Sequence, residues 1–269
     1  MLPFRILRLA VHLFLGMAIC AFIFPWTAAA GRQAHIRRWS RQLLGICGIQ
    51  VVVRQLDGAA LPPRSLIVGN HISWLDIFVV NAMQPCRFVA KSDIRNWPFI
   101  GWLCAKTGTI FISRGKPSDV RRIFQGLVRS IEAGERVAFF PEGTTAAQGK
   151  LLPFHANLFE AAIDAGVPVQ PYALRYLDAQ GKYHPAADFI GEMTIVESIL
   201  AILNAGSITA ELTQLASIST AGAHRRELAV AARQAIADGL GYVPDDLIKT
   251  APPAGTPPEA AHGPQAAPQ

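Results

Sequence analysis

The chain has 269 residues, is 51% hydrophobic and 16% charged, and carries a formal net charge of +6. That length allows one sizeable core, and the apolar excess over an average soluble protein is consistent with contact to a membrane, whose anionic headgroups would attract the positive charge. A nucleic-acid partner is disfavoured because the paired arginines Arg121-Arg122 and Arg225-Arg226 lack aromatic platforms, and a zinc or disulfide framework is disfavoured because Cys20, Cys47, Cys86 and Cys104 show no C-x-x-C spacing.

From Leu9 to Trp26, His12 alone among the polar residue types interrupts an apolar run. As a helix that run reaches about 27 Å, marginal for a hydrocarbon core of about 30 Å. Arg5 and Arg8 precede it and Arg32, Arg37, Arg38 and Arg41 follow it, so charge asymmetry gives no single-span orientation. The simplest arrangement keeps both ends on the cytoplasmic face. The first helix is then re-entrant or in-plane, paired with an amphipathic helix from about Arg32 to Ile46 that sets Trp39, Leu43, Leu44 and Ile46 against arginines. Two arginines, the apolar run and Ala28-Ala29-Ala30 also fit the outline of a cleavable secretory signal.

Ile49 to Arg54 reads as a strand, and Ser65 to Val68 as a buried strand closed by a Gly69-Asn70 turn. Ser73 is expected as the N-cap of a helix through Trp74 to about Met83. Cys86 to Ala90 is the next strand, Gly108 to Arg114 another, and Pro117 to Glu132 an amphipathic helix opened by a proline and stopped before Gly134. The apolar strand Arg136 to Phe140 is turned sharply by Pro141-Glu142-Gly143-Thr144-Thr145. A helix over His155 to Ala165 follows, then a strand over Val167 to Tyr176, whose prolines Pro168 and Pro171 argue for a sheet end or irregular edge. Thr194 to Leu203, a β-like Ile208 to Leu215 and an Ala-rich helix from about Ala223 to Leu240, packed over the sheet, complete the fold. This βα rhythm predicts an α/β fold, a mixed central sheet flanked by helices, preceded by an N-terminal membrane-associated two-helix motif. The expected organisation is a helical pair over residues 1–48, an α/β domain over 49–245, and a disordered Pro/Ala-rich tail over 246–269.

The chemistry concentrates in two places. His71 and Asp76 are five positions apart, which on a straight helix leaves the side chains about 140° apart and on a strand puts them on opposite faces. They can meet only where the backbone changes direction, with His71 in the turn after a strand and Asp76 reaching back from the first helical turn. There the carboxylate can hold one ring nitrogen protonated and aim the other at a substrate hydroxyl. No Gly-x-Ser-x-Gly elbow supplies an enzyme nucleophile, so the base would activate the substrate's own alcohol. The second place is the turn at Glu142, where Gly143 permits close approach and backbone N–H groups can cradle an anion, with Arg114 suited to a phosphate. His155, His184 and His224 lack metal spacing, so a metal is not expected.

Four blocks carry a resemblance to a known family: Asn70-His71-Ile72-Ser73-Trp74-Leu75-Asp76, Ile110-Phe111-Ile112-Ser113-Arg114, Phe140-Pro141-Glu142-Gly143-Thr144-Thr145 and Val167-Pro168-Val169-Gln170-Pro171. In this order and spacing the chain resembles the glycerolipid acyltransferase family, specifically its bacterial 1-acyl-sn-glycerol-3-phosphate acyltransferases, over roughly Val51 to Tyr176. Lys91 and the segment Trp97 to Trp102 are also in the family's manner. The resemblance implies His71 as general base, Asp76 as its partner, and Arg114, Glu142, Gly143 and Thr144, with Lys91, as the acceptor site. It implies transfer of a fatty acyl group from an acyl-CoA or acyl carrier protein thioester to the sn-2 hydroxyl of a lysophospholipid, at the inner membrane with the site facing the cytoplasm and no cofactor. One departure bears on the acceptor: many relatives carry a basic residue and a glycine after a phenylalanine, where this chain reads Phe154-His155-Ala156-Asn157. Lyso-ornithine lipid is therefore a second candidate acceptor, and a non-catalytic lipid-binding protein a further reading. Trp97, Phe99 and Trp102 suit an acyl-chain tunnel, a bilayer interface or core packing.

Overall fold

The computed structural model describes residues 2–55, 62, 64–112 and 117–243, with backbone only for 117–123. Arg114 and the C-terminal tail lie outside the described residues. Among the described residues, seven strands form one sheet in the order β1-β7-β6-β2-β5-β3-β4. They are β1 (Ile49–Gln55), β2 (Leu66–Gly69), β3 (Arg87–Lys91), β4 (Ile110–Ile112), β5 (Val137–Phe139), β6 (Val169–Leu177) and β7 (Ile208–Gln214). β6, β2, β5, β3 and β4 run parallel to one another, β7 runs antiparallel to β6, and β1 parallel to β7, so the sheet is mixed as expected.

The alternation along β2 sorts its side chains into two cores. Ile67 faces one with Val79 and Val80 of α3 (Asp76–Met83), Leu44 of α2 (Ala29–Ile46), and Ile202 and Leu203 of α7 (Ile195–Asn204). Leu66 and Val68 face the other with Leu127 and Ile131 of α5 (Pro117–Glu132), Ala161 and Ala162 of α6 (Glu160–Asp164), and Leu228, Ala232 and Ile236 of α8 (Arg225–Leu240). A sheet covered on both faces needs strands apolar at every position, and β2 is buried throughout.

β6 departs from expectation, because it is an interior strand despite Pro171. The carbonyl of Pro171 accepts from Leu215 N at 3.1 Å, just beyond the last antiparallel pair Tyr172↔Gln214. The proline's missing N–H leaves no acceptor unpaired there, because Leu215 O accepts from Gln170 Nε2 at 2.7 Å instead.

The first helix is longer than the apolar run suggests. α1 (Leu2–Ala18) continues through a π turn (Ile19–Ile23) and a 3-10 turn (Phe24–Trp26), giving 25 helical residues that contain an 18-residue stretch of mean hydropathy 2.2, long and apolar enough by composition to cross a membrane. α2 then returns alongside it. His12 Nε2 meets Trp39 O at 3.0 Å, Trp39 Nε1 donates to His12 O at 3.0 Å, and the two rings stack at 4.5 Å. Gly16 makes room, since a Cβ there would lie 2.6 Å from Trp39 Nε1. Arg5 donates to Leu203 O at 2.6 Å and Arg41 to Ala82 O at 2.8 Å, which ties the hairpin to α7 and α3.

Candidate active site

β2 delivers the chain to a turn that the side chain of Asn70 prolongs as if it were backbone. Its Nδ2 donates to Leu174 O at 2.9 Å and its Oδ1 accepts from Leu174 N at 2.8 Å, both on β6. His71 follows, and the change of direction brings Asp76 to it: Nδ1 lies 2.8 Å from Asp76 Oδ2. The same oxygen accepts the N–H groups of Ile72 at 2.7 Å and Ser73 at 2.9 Å, while Oδ1 accepts from Tyr176 Oη at 2.7 Å. Asp76 is 0% exposed, and the oxygens of a buried carboxylate need such donors in place of water. With an acceptor on Nδ1, the hydrogen-bond network assigns the proton to Nδ1 and leaves Nε2 as a lone pair.

The expected Ser73 cap is corrected. α3 begins at Asp76 with Leu75 in the capping position, and the Ser73 hydroxyl is buried with no hydrogen-bond partner among the described residues. Asp76 takes over the start of the helix, where an anion complements the free N–H groups.

The His71 ring stacks on Phe140 at 4.1 Å and 7°. Its backbone is held from both sides, since His71 N donates to Glu142 Oε1 at 2.8 Å and His71 O accepts from Ala146 N at 2.8 Å. The second oxygen of Glu142 accepts from Leu152 N at 2.8 Å. Glu142 is thus turned into the protein and ties two arms of the loop after β5 to the turn after β2. Burial pushes its carboxyl up to about 7, against the opposing pull of those two N–H groups.

Gly143 has φ of +70°, a conformation that favours glycine, and a Cβ there would meet the His155 ring at 3.3 Å. Its N–H closes the turn on Phe140 O at 3.1 Å, so it is not free for an anion. The N–H groups of Thr144 and Thr145 carry no hydrogen bond among the described residues, and Thr144 is exposed. The Thr145 hydroxyl donates to Phe189 O.

Because β2, β5, β3 and β4 are parallel neighbours, their carboxyl ends share one edge of the sheet. In a row stand the turn of His71 after β2, the turn of Glu142 to Thr145 after β5, and exposed Lys91 at the end of β3, which pairs with Ile112 of β4. Ligands in open α/β sheets bind outside such ends. Two isolated histidines have structural duties: His184 caps the turn at Pro185 and His224 caps α8. No group of three or more His, Cys, Asp or Glu suited to a metal occurs among the described residues.

Sequence reasoning did not find Tyr176, Phe140 or Asn70 as parts of this site. Phe140 and Asn70 lie inside the recognised blocks, so adjacency to His71 was a usable signal. Tyr176 is 100 positions from Asp76 and meets it only because β6 lies beside β2.

The Acyltransferase family model matches residues 50–175. A lyso-ornithine lipid O-acyltransferase of Pseudomonas aeruginosa is 33% identical over 237 residues, covering 86% of this chain and 90% of that protein. A 1-acyl-sn-glycerol-3-phosphate acyltransferase of Neisseria gonorrhoeae is 44% identical over 121 residues, covering 45% and 48%. The crystal structure of the 1-acyl-sn-glycerophosphate (LPA) acyltransferase PlsC from Thermotoga maritima shares the fold with a TM-score of 0.63 at 18% identity, covering 93% of this chain and 99% of that one. The shared architecture and the length-spanning similarity place this chain in the acyltransferase family, as an O-acyltransferase of the lysolipid type.

Proposed function

We propose that the protein moves a fatty acyl group from an acyl thioester to the sn-2 hydroxyl of 1-acyl-sn-glycerol-3-phosphate, forming phosphatidic acid, with His71 as general base. The observation that carries this reading is the buried Asp76 on Nδ1, which leaves Nε2 to accept a proton. In this reading Nε2 takes the hydroxyl proton as the oxygen attacks the thioester carbonyl. The tetrahedral oxyanion then collapses, the C–S bond breaks, and the imidazolium returns the proton to the departing thiolate. Asp76 stabilises the transient imidazolium. A positioned base contributes about 10²- to 10⁴-fold, so positioning and charge stabilisation must supply more. Lys91 at the end of β3, with Arg114 two residues after β4 in sequence, would hold the acceptor phosphate, and the N–H groups of Thr144 and Thr145 are donors for the phosphate or the oxyanion. The thioester, on coenzyme A or acyl carrier protein, is a co-substrate.

Lyso-ornithine lipid is the second acceptor, favoured by the Pseudomonas relative that spans nearly the whole chain. We place the reaction at the cytoplasmic face of the inner membrane. The hairpin supports this: Trp26 at its tip is 90% exposed, the outer face of α1 presents Phe4, Leu7 and Phe14, and arginine-bearing α2 returns to the domain, which suits a helix pair dipping into one leaflet.

The test is thiol release from an acyl thioester by the purified protein with lysophosphatidate, lyso-ornithine lipid or lysophosphatidylcholine, against His71→Ala. Release stimulated by one acceptor, and reduced about 10²- to 10⁴-fold in the variant, is expected. Acceptor-independent release would make the protein a thioesterase, and release insensitive to His71 would remove the general base.

A further inference from the structure

The segment between β3 and β4 is built against the usual preferences of a protein surface. Trp97, Phe99 and Trp102 are 44%, 62% and 40% exposed within six residues. Phe99 has φ of +60° and is the one non-glycine residue with positive φ among the described residues, so the backbone adopts an unfavourable conformation while its ring stays in solvent. Gly101 lets the turn close, since a Cβ there would lie 2.2 Å from Arg95 O.

Cations accompany the segment. Lys106 Nζ lies 5.7 Å from the Trp102 ring centroid, Arg95 reaches over Phe111 of β4 at 5.7 Å, and Lys91 opens the segment. The apolar surface is also continuous with the N-terminal hairpin: Trp102 lines one open groove of about 330 Å³ with Phe14, Met17, Ala18, Ala21 and Phe22. Exposed tryptophan and phenylalanine beside lysine and arginine match the interfacial zone of a bilayer with anionic headgroups.

We propose that residues 92–106 form a second membrane-docking element, seated on an anionic bilayer surface beside the hairpin. This rests on the reading of the hairpin as membrane-inserted. The element begins at the carboxyl end of β3 and leads back to the start of β4, so its docking holds the Lys91 side of the site against the headgroup layer from which a lysolipid presents its hydroxyl.

The test uses the full chain in a Cys104→Ser background, with an environment-sensitive fluorophore on Phe22→Cys, Phe99→Cys or Val230→Cys, the last on exposed α8. Vesicles contain phosphatidylcholine with or without a quarter of phosphatidylglycerol, and nitroxide-labelled lipid as quencher. Quenching at positions 22 and 99, but not 230, is expected. Arg95→Glu with Lys106→Glu should raise the lipid concentration needed to quench position 99 by about tenfold while position 22 stays inserted. Quenching at 22 without 99 would overturn the second element and leave the hairpin reading intact, whereas quenching at neither would overturn both. Burial of the label at 99 without vesicles, rising with protein concentration, would show that a second copy covers the segment and would overturn the proposal. Trp97→Ala with Phe99→Ala should slow transfer to vesicle-borne acceptor about tenfold and leave a water-dissolved short-chain acceptor unaffected; equal losses on both would refute a docking role.

Discussion

Around His71 the structure is closed, and around Lys91 it is open. Asp76 is sealed from solvent with four donors, Phe140 covers one face of the imidazole, and the backbone of His71 is fixed at both its N–H and its carbonyl. At the other end of the row, Lys91 stands in solvent and the following segment exposes three aromatic rings. Proton transfer requires atoms placed to within a fraction of an ångström, so rigidity lies where a proton would move. An acceptor that arrives from a lipid surface needs an accessible side, and a partner can complete what the chain leaves uncovered.

Asp76→Asn should break the closed half most severely. The amide would turn donors toward a site full of donors and favour the wrong imidazole tautomer, with a loss of up to about 10⁴-fold in acceptor-dependent turnover. Equilibrium unfolding in urea should also show a cost of about 2–4 kcal/mol, because buried N–H groups lose their acceptor. Normal turnover in a folded Asp76→Asn protein would show that the pair is merely a structural cap.

Glu142 sharpens the comparison through pH. Its carboxyl rises from an ordinary 4.5 to about 7 on folding, so between those values the folded chain holds a proton that the unfolded chain has released. Its contribution to stability is complete below about pH 4.5 and is lost as pH rises through 7. Relative to Glu142→Gln, the wild type should therefore gain about 2–3 kcal/mol as pH falls from 7.5 to 4.5, read as the difference between two urea-melt series. A difference that does not vary with pH would place the titration elsewhere.

Tyr176→Phe removes one donor from Asp76 and leaves its other three. It should cost about 1.5–2 kcal/mol and lower turnover less than the Asp76 substitution does. The smallest effect is expected far from the site, at Thr194, whose hydroxyl accepts from Glu197 N in a capping box opening α7. Thr194→Ala should lower stability by about 1 kcal/mol in a thermal melt with turnover unchanged. A loss of turnover there would show that α7 influences the catalytic corner.

What the sequence revealed follows the range of the interactions. Pro117–Glu132 was legible to the residue because its boundaries are set by the proline and by Gly134, two positions beyond its end. The meeting of His71 and Asp76 was legible because five positions around a turn leave few geometries. Ser73 misled as a cap because the Asp76 N–H that its hydroxyl would have to accept donates to the Ser73 carbonyl at 3.2 Å instead. Pro171 misled because a proline excludes a strand from an interior place only where an N–H is required, and sheet order decides that. The inward turn of Glu142 was not legible either, since its partner Leu152 lies across a loop and nothing in its spacing distinguishes a strap from a ligand.

The placement of β1 bears on how the molecule is made. It is an edge strand, and its one neighbour in the sheet is β7, with Ile49 opposite Ile208. The hairpin that precedes β1 therefore leaves the ribosome long before its seat on α7, and the β7 neighbour of β1, have been translated, an interval on the order of ten to thirty seconds at ordinary elongation rates. Throughout that interval the apolar face of α1 is without its α7 contact. Under the proposed seating of the hairpin in a bilayer, the order of translation would bring the nascent chain to the membrane before the corner around His71 has closed.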